Sequence, residues 1–293
     1  MTLPAAHRAE AERLGRALPP LLAQAEQLSR ALALGEHGRR RAGQGADFWQ
    51  YRPAMPGDPL RAIDWRRSAR SDQPFVRERE WQGAQAVTFW VDQSRAMRFR
   101  GAPSRPAKAD RAAVIALALA MTLLRAGERV GLEGQGRPQR GTAQLAALAE
   151  ALPGADGGEG GPEYGTPSLD GAVPHGKAVL ISDFLGDPGA LHRTMAAAAE
   201  RGMGGVLIQV LDPVEEEFPF DGRTLFQSPG GGATFEAQQA GALRDRYLAR
   251  LAERKADLAE AARAVGWHFG THHTGAPALP VLLWAQEALR GAR

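Results

Sequence analysis

Two polar residues follow an apolar stretch of the chain, and their oxygens could bind a hard cation. The stretch from Val87 to Met97 opens with β-branched and aromatic residues that suit a strand buried on both faces, and it turns polar at Asp92 and Ser94. In open α/β sheets the ligand crevice lies at the carboxyl ends of the strands. Carboxylates and hydroxyls are ligands for ions such as Mg²⁺ or Mn²⁺. The same two residues could instead cap the turn that follows.

A second apolar run also ends in an acid. Residues Lys177 to Asp183 read K-A-V-L-I-S-D, which predicts another buried strand. Parallel strands place their carboxyl ends at one edge of a sheet. We therefore expect Asp92 and Asp183 at the ends of neighbouring strands, close enough to share one ion.

These motifs resemble the metal-ion-dependent adhesion site of von Willebrand factor A domains, which begins D-x-S-x-S. A glycine-rich loop leads into Gly165-Thr166, which resembles the second motif, where a Thr hydroxyl contacts the metal or its water. The strand before Asp183 resembles the third. The resemblance implies a metal site made of Asp92, Ser94, Thr166 and Asp183, with Mg²⁺ or Mn²⁺ bound weakly. Ala96 departs from the pattern and removes one hydroxyl ligand.

Residues 45 to 80 are dense in turn formers, Arg, Asp and Trp. Charged residues alternate around Ile63 and Trp65, which predicts a compact element with Trp65 substantially buried against the domain that follows. A segment this rich in Gly, Pro and charge could not bury enough apolar surface to fold alone. Two interpretations stay open: an Arg/Asp clamp that ties the segment down, or a partner-binding element.

This segment is similar to the signature of a large bacterial family, domain-of-unknown-function family fifty-eight. The matching residues are Asp47, Phe48, Arg52, Gly57, Asp58, Arg61, Ile63, Asp64, Trp65, Ser68, Ala69, Arg70, Val76, Arg77, Glu78 and Glu80. Ala54 stands where the family usually carries Tyr. The resemblance implies a von Willebrand A-like domain in a protein often encoded beside a MoxR-type AAA+ ATPase.

The elements that must position these residues alternate along the chain. Helical stripes at Lys108–Arg125 and Ala237–Val265 separate the apolar runs. This alternation predicts an α/β fold: a doubly wound, mostly parallel sheet with helices on both faces. Two N-terminal helices, divided at Pro19-Pro20, and the signature segment should precede it. We expect residues 1–84 to form the N-terminal helices and signature segment, packed on a von Willebrand A-like domain at 85–293. An insertion near 214–235 should hold a small hairpin. Its phenylalanines, Phe218, Phe220 and Phe226, are expected to anchor it to the body.

Composition narrows the class of protein. The 293 residues are 44% hydrophobic and carry a net charge of +3, which indicates a soluble globular protein and no dominating nucleic-acid surface. The chain has no cysteine, which excludes disulfides and thiolate metal sites. No signal peptide or stretch long enough to span a membrane is found, so we expect a cytoplasmic protein.

Three functions are compatible with these residues. The first is a non-catalytic interaction module whose bound cation accepts a carboxylate from a protein partner, such as the AAA+ ATPase that the family resemblance implies. The second is a metal-dependent phosphohydrolase in which Asp92 is the nucleophile or a metal ligand. The third is weak nucleic-acid binding through the Arg-rich residues 39–79. A zinc site at His268, His272 and His273 is disfavoured, because adjacent residues of a strand point to opposite faces.

Overall fold

A computed structural model describes residues 20–37, 50–53, 63, 65–68, 74–78, 85–156 and 160–291. The chain divides into two compact units, one formed by residues 1–34 with 86–293 and the other by residues 35–85. The helices are α1 Pro20–His37, α2 Trp65–Ser68, α3 Lys108–Arg125, α4 Thr142–Ala151, α5 Pro188–Glu200, α6 Pro213–Glu217, α7 Arg244–Ala264 and α8 Leu279–Gly291. The strands are β1 Gln50–Pro53, β2 Phe75–Glu78, β3 Ala86–Val91, β4 Arg129–Leu132, β5 Lys177–Ser182, β6 Gly204–Leu211, β7 Thr224–Gln227, β8 Thr234–Ala237 and β9 His268–His273.

The larger unit is built on a five-stranded sheet in the order β4-β3-β5-β6-β9, with every neighbouring pair parallel. Successive side chains of a strand point to opposite faces. In β5, Val179 and Ile181 therefore join the core under α1, α3, α4 and α8, while Ala178 and Leu180 join the core under α5 and α7. The α/β fold with a parallel sheet and helices on both faces is confirmed.

Helix α1 packs into the first of these cores. Ala25 and Leu32 are fully buried, and the Ser29 hydroxyl lies 3.1 Å from that of Thr122 in α3. A second helix expected before the Pro19-Pro20 pair falls outside the described residues. Among those residues no helix combines the length and apolar character needed to span a bilayer.

The insertion contains the expected hairpin, but the helix that follows it begins later than predicted. In the hairpin, Thr224–Gln227 pairs antiparallel with Thr234–Ala237. Helix α7 was expected to begin at Ala237 and begins at Arg244 instead. Ala237 is committed to pairing with Thr224. Gly241 lies so close to the Asp221 carboxylate that a Cβ there would meet Oδ1 at 2.7 Å.

The smaller unit contains β1 and β2, which pair antiparallel with Arg52 opposite Val76 and Tyr51 opposite Arg77. The Ser68 hydroxyl, at the end of α2, accepts a hydrogen bond from the Phe75 backbone N–H at 2.8 Å. Trp65 is 61% exposed, so the prediction that its ring is substantially buried is wrong. It opens a single helical turn in a small unit, and small units bury a smaller fraction of their apolar surface.

Only part of the signature segment lies within the described residues. Arg52, Arg77 and Glu78 lie on the two paired strands and Trp65 on α2. The remaining signature positions predicted as candidate site residues lie outside the described residues: Asp47, Phe48, Gly57, Asp58, Arg61, Asp64 and Arg70.

Candidate functional site

The two predicted carboxylates lie at the same edge of the sheet. Strands β3 and β5 are neighbours with Val91 opposite Ile181, and the Asp92 backbone N–H donates to the Ile181 carbonyl at 2.9 Å. Asp92 and Asp183 are 3% and 1% exposed. The prediction that they end adjacent strands is therefore confirmed.

The Asp92 carboxylate is held by hydrogen bonds at both oxygens. The Ser94 backbone N–H donates to Oδ1 at 2.8 Å, and the Ser182 hydroxyl donates to Oδ2 at 2.6 Å. Gly165 passes so close that a Cβ would collide with this carboxylate, which gives a physical reason for glycine before Thr166. Thr166 itself is exposed on the loop. The Ser94 hydroxyl is buried and has no hydrogen-bond partner among the described residues.

The Asp183 carboxylate is paired with a buried lysine. The Lys108 Nζ lies 2.8 Å from Asp183 Oδ2 and 2.6 Å from Glu215 Oε1. The Leu185 backbone N–H donates to the other Asp183 oxygen at 3.0 Å. Lys108 is 1% exposed and lies in the first turn of α3. Its ammonium therefore places a buried positive charge next to Asp183 at this edge of the sheet.

Lys108, Asp183 and Glu215 form an ion-paired cluster, and its electrostatics favour a charged ammonium. Burial lowers the pKa of Lys108, but the negative charges of Asp183 and Glu215 outweigh it and raise that pKa above its ordinary value. Burial raises the pKa of Glu215, and the nearby ammonium only partly offsets this. Glu215 Oε2 also accepts the Asp212 backbone N–H at 2.8 Å, which fixes the Glu215 side chain toward Lys108.

A neighbouring carboxylate, Asp212 at the end of β6, fastens the surrounding loops. Arg105 and the Thr274 hydroxyl donate to it at 3.0 and 2.9 Å, and the backbone N–H groups of Gly101 and Val214 do so at 3.1 and 3.0 Å. Burial raises the pKa of Asp212, but these donors outweigh it and lower that pKa below its ordinary value. Its donors come from the loops around Gly101, Arg105 and Thr274 and from the start of α6, so we assign it a structural role.

The donor set does not fit a divalent ion shared by Asp92 and Asp183. A divalent ion at Asp183 would lie next to the buried Lys108 ammonium, which repels it and already occupies Asp183 Oδ2. Each Asp92 oxygen already accepts one protein hydrogen bond, which leaves fewer lone pairs for such an ion. Ala96 offers no hydroxyl. Within the described ranges, no group of three or more His, Asp or Glu is placed to hold a metal. The structure thus brings Asp92, Ser94 and Asp183 together at one edge, with a built-in ammonium beside them.

Lys108 and Glu215 were missed by the sequence reasoning. The sequence pattern identifies Lys108 only as the start of a helix. Glu215 lies in the insertion, far from β3 and β5 in sequence. One signal was present: the chain has only three lysines among its 36 basic residues, and one of them heads a helix that is otherwise Ala- and Leu-rich. A lysine there is costly to bury unless it is paired.

An open cavity of about 640 Å³ lies beside the ion-paired cluster. Phe218, Phe220, Phe226 and Tyr247 line it, with ring centroids 4.9 to 5.8 Å apart within the group. Phe218 is buried, as expected of an anchor. All three phenylalanines also form cavity wall, which the sequence did not predict. Lys108, Asp183 and Glu215 belong to the same lining.

The histidines of β9 do not converge. His268 is exposed, His272 is buried, and His273 pairs with Glu216. Burial, with Arg111 and His273 nearby, lowers the pKa of His272 to about 4. His272 Nε2 has no partner among the described residues. The expectation that His272 and His273 point to opposite faces agrees with their successive positions in the strand.

The chain is similar to several mycobacterial proteins. It is 28% identical over 267 residues to an uncharacterized protein of Mycobacterium bovis, covering 87% of this chain and 83% of that one, and the same figures hold for uncharacterized proteins of Mycobacterium tuberculosis. An uncharacterized protein of Mycobacterium avium is 38% identical over 91 residues, 31% of this chain and 53% of its own.

Two solved structures and one family model complete the comparison. The structures are an aerotolerance-related membrane protein of Bacteroides fragilis and the conserved hypothetical protein BatB of Bacteroides thetaiotaomicron, with TM-scores of 0.43 and 0.38. Each is 13% identical and covers 71% of this chain and 99% of its own. The model described as protein of unknown function DUF58 matches residues 50–257. Because that match spans more than half of the sequence, this chain belongs to the DUF58 family.

Proposed function

We propose that this chain is a non-catalytic protein-interaction module with a von Willebrand A-like fold and a degenerate adhesion site. In it, the Lys108 ammonium supplies next to Asp183 the positive charge that the resemblance assigns to a metal ion. The observation that carries the proposal is the ion pairing of buried Lys108 with Asp183 and Glu215 at the carboxyl ends of the strands, beside an open cavity. Mg²⁺ or Mn²⁺ binds weakly at most.

The ammonium can still serve a partner. A lysine has three N–H donors, and the two carboxylates account for two of them. The third has no partner among the described residues, and Lys108 lines the cavity. Lys108 is 1% exposed, so its charge would act on a docked protein through the cavity wall and not through a direct hydrogen bond.

The partner we propose is a MoxR-type AAA+ ATPase, and this part of the proposal rests on the family resemblance. The exposed Trp65 makes the signature segment a second candidate contact for such a partner, because exposed aromatic side chains are enriched at protein interfaces.

The phosphohydrolase alternative needs an Asp92 that substrate can reach. Asp92 is 3% exposed and both of its oxygens accept hydrogen bonds, so no contact of Asp92 favours a nucleophilic role. Hydrolysis of p-nitrophenyl phosphate with Mg²⁺ tests this alternative. Turnover that disappears in Asp92→Asn would support the enzyme and contradict the interaction module.

The interaction proposal is tested by sedimentation velocity of the full chain with a purified MoxR-type ATPase from the same genome. We expect a complex whose affinity falls by about tenfold or more in Thr166→Arg, because this substitution places a bulky charge at the sheet edge that carries Asp92 and Asp183. Thr142→Arg, at the exposed first residue of α4, is the matched control and should bind like wild type. Absence of a complex, or equal loss in both variants, would contradict the proposal.

A further inference from the structure

The cavity beside Lys108 is surrounded by exposed apolar side chains. Phe99, Tyr164 and Phe235 all line it and are 40%, 38% and 58% exposed. Leu225, 67% exposed, lies on the hairpin β7–β8 that also carries Phe235. Single exposed apolar residues are normal on protein surfaces, but a group around one open cavity marks an interaction site.

The walls of the cavity are aromatic and its size suits a few side chains. Phe218 packs against Tyr247 of α7 with centroids 4.9 Å apart, and Phe220 meets Phe226 edge-on at 5.4 Å. Aromatic walls of this kind give an inserted apolar side chain a large contact area. At about 640 Å³, the cavity holds more than one aromatic side chain and is open on one side.

The charges of the lining favour an acidic ligand. The two carboxylates of the lining, Asp183 and Glu215, are already paired with Lys108. The other two charged residues are Arg246 and Arg250, four apart on one face of α7 and both exposed. Arg246 has no ion-pair partner among the described residues, and Arg250 only approaches Glu253 at 3.9 Å. Three basic and two acidic groups leave the lining with a net charge of +1.

From these features we infer that the cavity binds a protein segment in which an aromatic or aliphatic side chain is flanked by acidic residues. The apolar side chain enters between Phe226 and Tyr247, and the acidic flank lies against Arg246 and Arg250. The exposed apolar residues around the mouth favour a protein segment over a small molecule, because they offer contact area beyond the cavity itself. The inference rests on the proposed interaction function and names the chemistry of the partner.

Selection of peptides from a random phage-displayed library against the full chain tests the inference. We expect the enriched peptides to share an apolar residue next to Asp or Glu. The best peptide, synthesised with a fluorophore, should bind with an affinity that falls as salt rises. Fluorescence anisotropy should show binding weakened by about tenfold or more in the double variant Arg246→Glu/Arg250→Glu and in Phe235→Ser.

The controls separate a lost contact from a lost fold. Arg263→Glu reverses an exposed charge on the same helix outside the cavity and should bind like wild type. Melting curves should show that the exposed-site variants remain folded. No enrichment, enriched peptides without acidic residues, or equal weakening in Arg263→Glu would overturn the inference. Binding of laurate with the same arginine dependence, without peptide enrichment, would also overturn it by showing a site for small amphiphiles.

Failure here is distinct from failure of the proposed function. If the AAA+ ATPase binds but no acidic peptide does, the chain is an interaction module that uses another surface. If peptides bind as expected and the ATPase does not, the cavity is a docking site and the partner is a different protein.

Discussion

Lys108 decides the character of the site at the scale of single residues. Taking an ammonium out of water costs several kcal/mol, and only close carboxylates offset that cost. Here Asp183 and Glu215 lie within 2.8 Å of the nitrogen, and the Phe99 ring is 5.7 Å away. Removing the lysine would leave two buried carboxylates without their counter-ion.

We therefore expect Lys108→Met to destabilise the protein by about 3 to 5 kcal/mol at neutral pH. The deficit should shrink as pH falls, because protonation removes the unpaired negative charges and burial already raises the pKa of Glu215. In the wild type the pKa of Lys108 is raised above its unfolded value of 10.5, so the stability it adds is present below that pH and lost as pH rises through the folded pKa. Urea denaturation at several pH values measures both effects.

Lys177→Met is the matched control, since Lys177 is half-buried and has no carboxylate partner among the described residues. It should cost far less than Lys108→Met. Equal effects of the two substitutions, or a Lys108→Met deficit that grows at low pH, would show that the ion pairing is not what stabilises the cluster.

Only the local part of this site could be predicted from sequence. Asp92, Ser94 and Asp183 can be predicted because each follows an apolar run. Ligands of open α/β sheets bind at the carboxyl ends of the strands, and this rule needs no knowledge of distant contacts. Lys108 pairs with residues 75 and 107 positions away. Such pairings are set by the tertiary fold, so the sequence contains no spacing that reveals them.

At the scale of elements, agreement between sequence and structure follows the strength of the local pattern. The prediction of a helix at Lys108–Arg125 matches α3 at both ends, because a buried Ala/Leu stripe and Gly127 define it. Gly127 ends it with φ +87°, a conformation that suits glycine. The start of α7 was misplaced, because Ala, Gln and Leu in residues 237–243 favour an α-helix. In the structure Ala237 pairs with Thr224 of β7, and Ala240–Leu243 form a short 3-10 helix before α7.

Strand β9 contributes a pH-dependent term through His272. Its pKa is lowered to about 4, so the unfolded chain binds more protons between pH 6.5 and about 4. Stability from this group is present above pH 6.5 and lost as pH falls toward 4, by up to about 3 kcal/mol. In melts from pH 7.5 to 4.5, His272→Gln should lose less stability than wild type.

His268→Gln, at the exposed first residue of the same strand, serves as the control and should keep the wild-type pH profile. If His272→Gln and wild type lose stability in parallel, the neutral buried imidazole is not the source of the acid sensitivity.

At the scale of the whole molecule, the alternation of apolar runs and helical stripes was enough to predict a parallel sheet covered on both faces. It was also enough to predict that β3 and β5 are neighbours. The sequence could not predict that the insertion, α6 and α7 would build an aromatic cavity over the end of β5. That cavity joins residues 96 to 250, and its walls come from elements that meet only in the folded chain.

The central claim is that a lysine ammonium, and not a metal ion, supplies the positive charge at this edge of the sheet. Isothermal titration calorimetry of the full chain with Mg²⁺ and Mn²⁺ tests it most directly. We expect no saturable heat from wild type at millimolar ion, and no gain from Ala96→Ser alone, because Lys108 still occupies Asp183. Saturable binding by wild type that is lost in Asp92→Ala and tightened in Ala96→Ser would contradict the account.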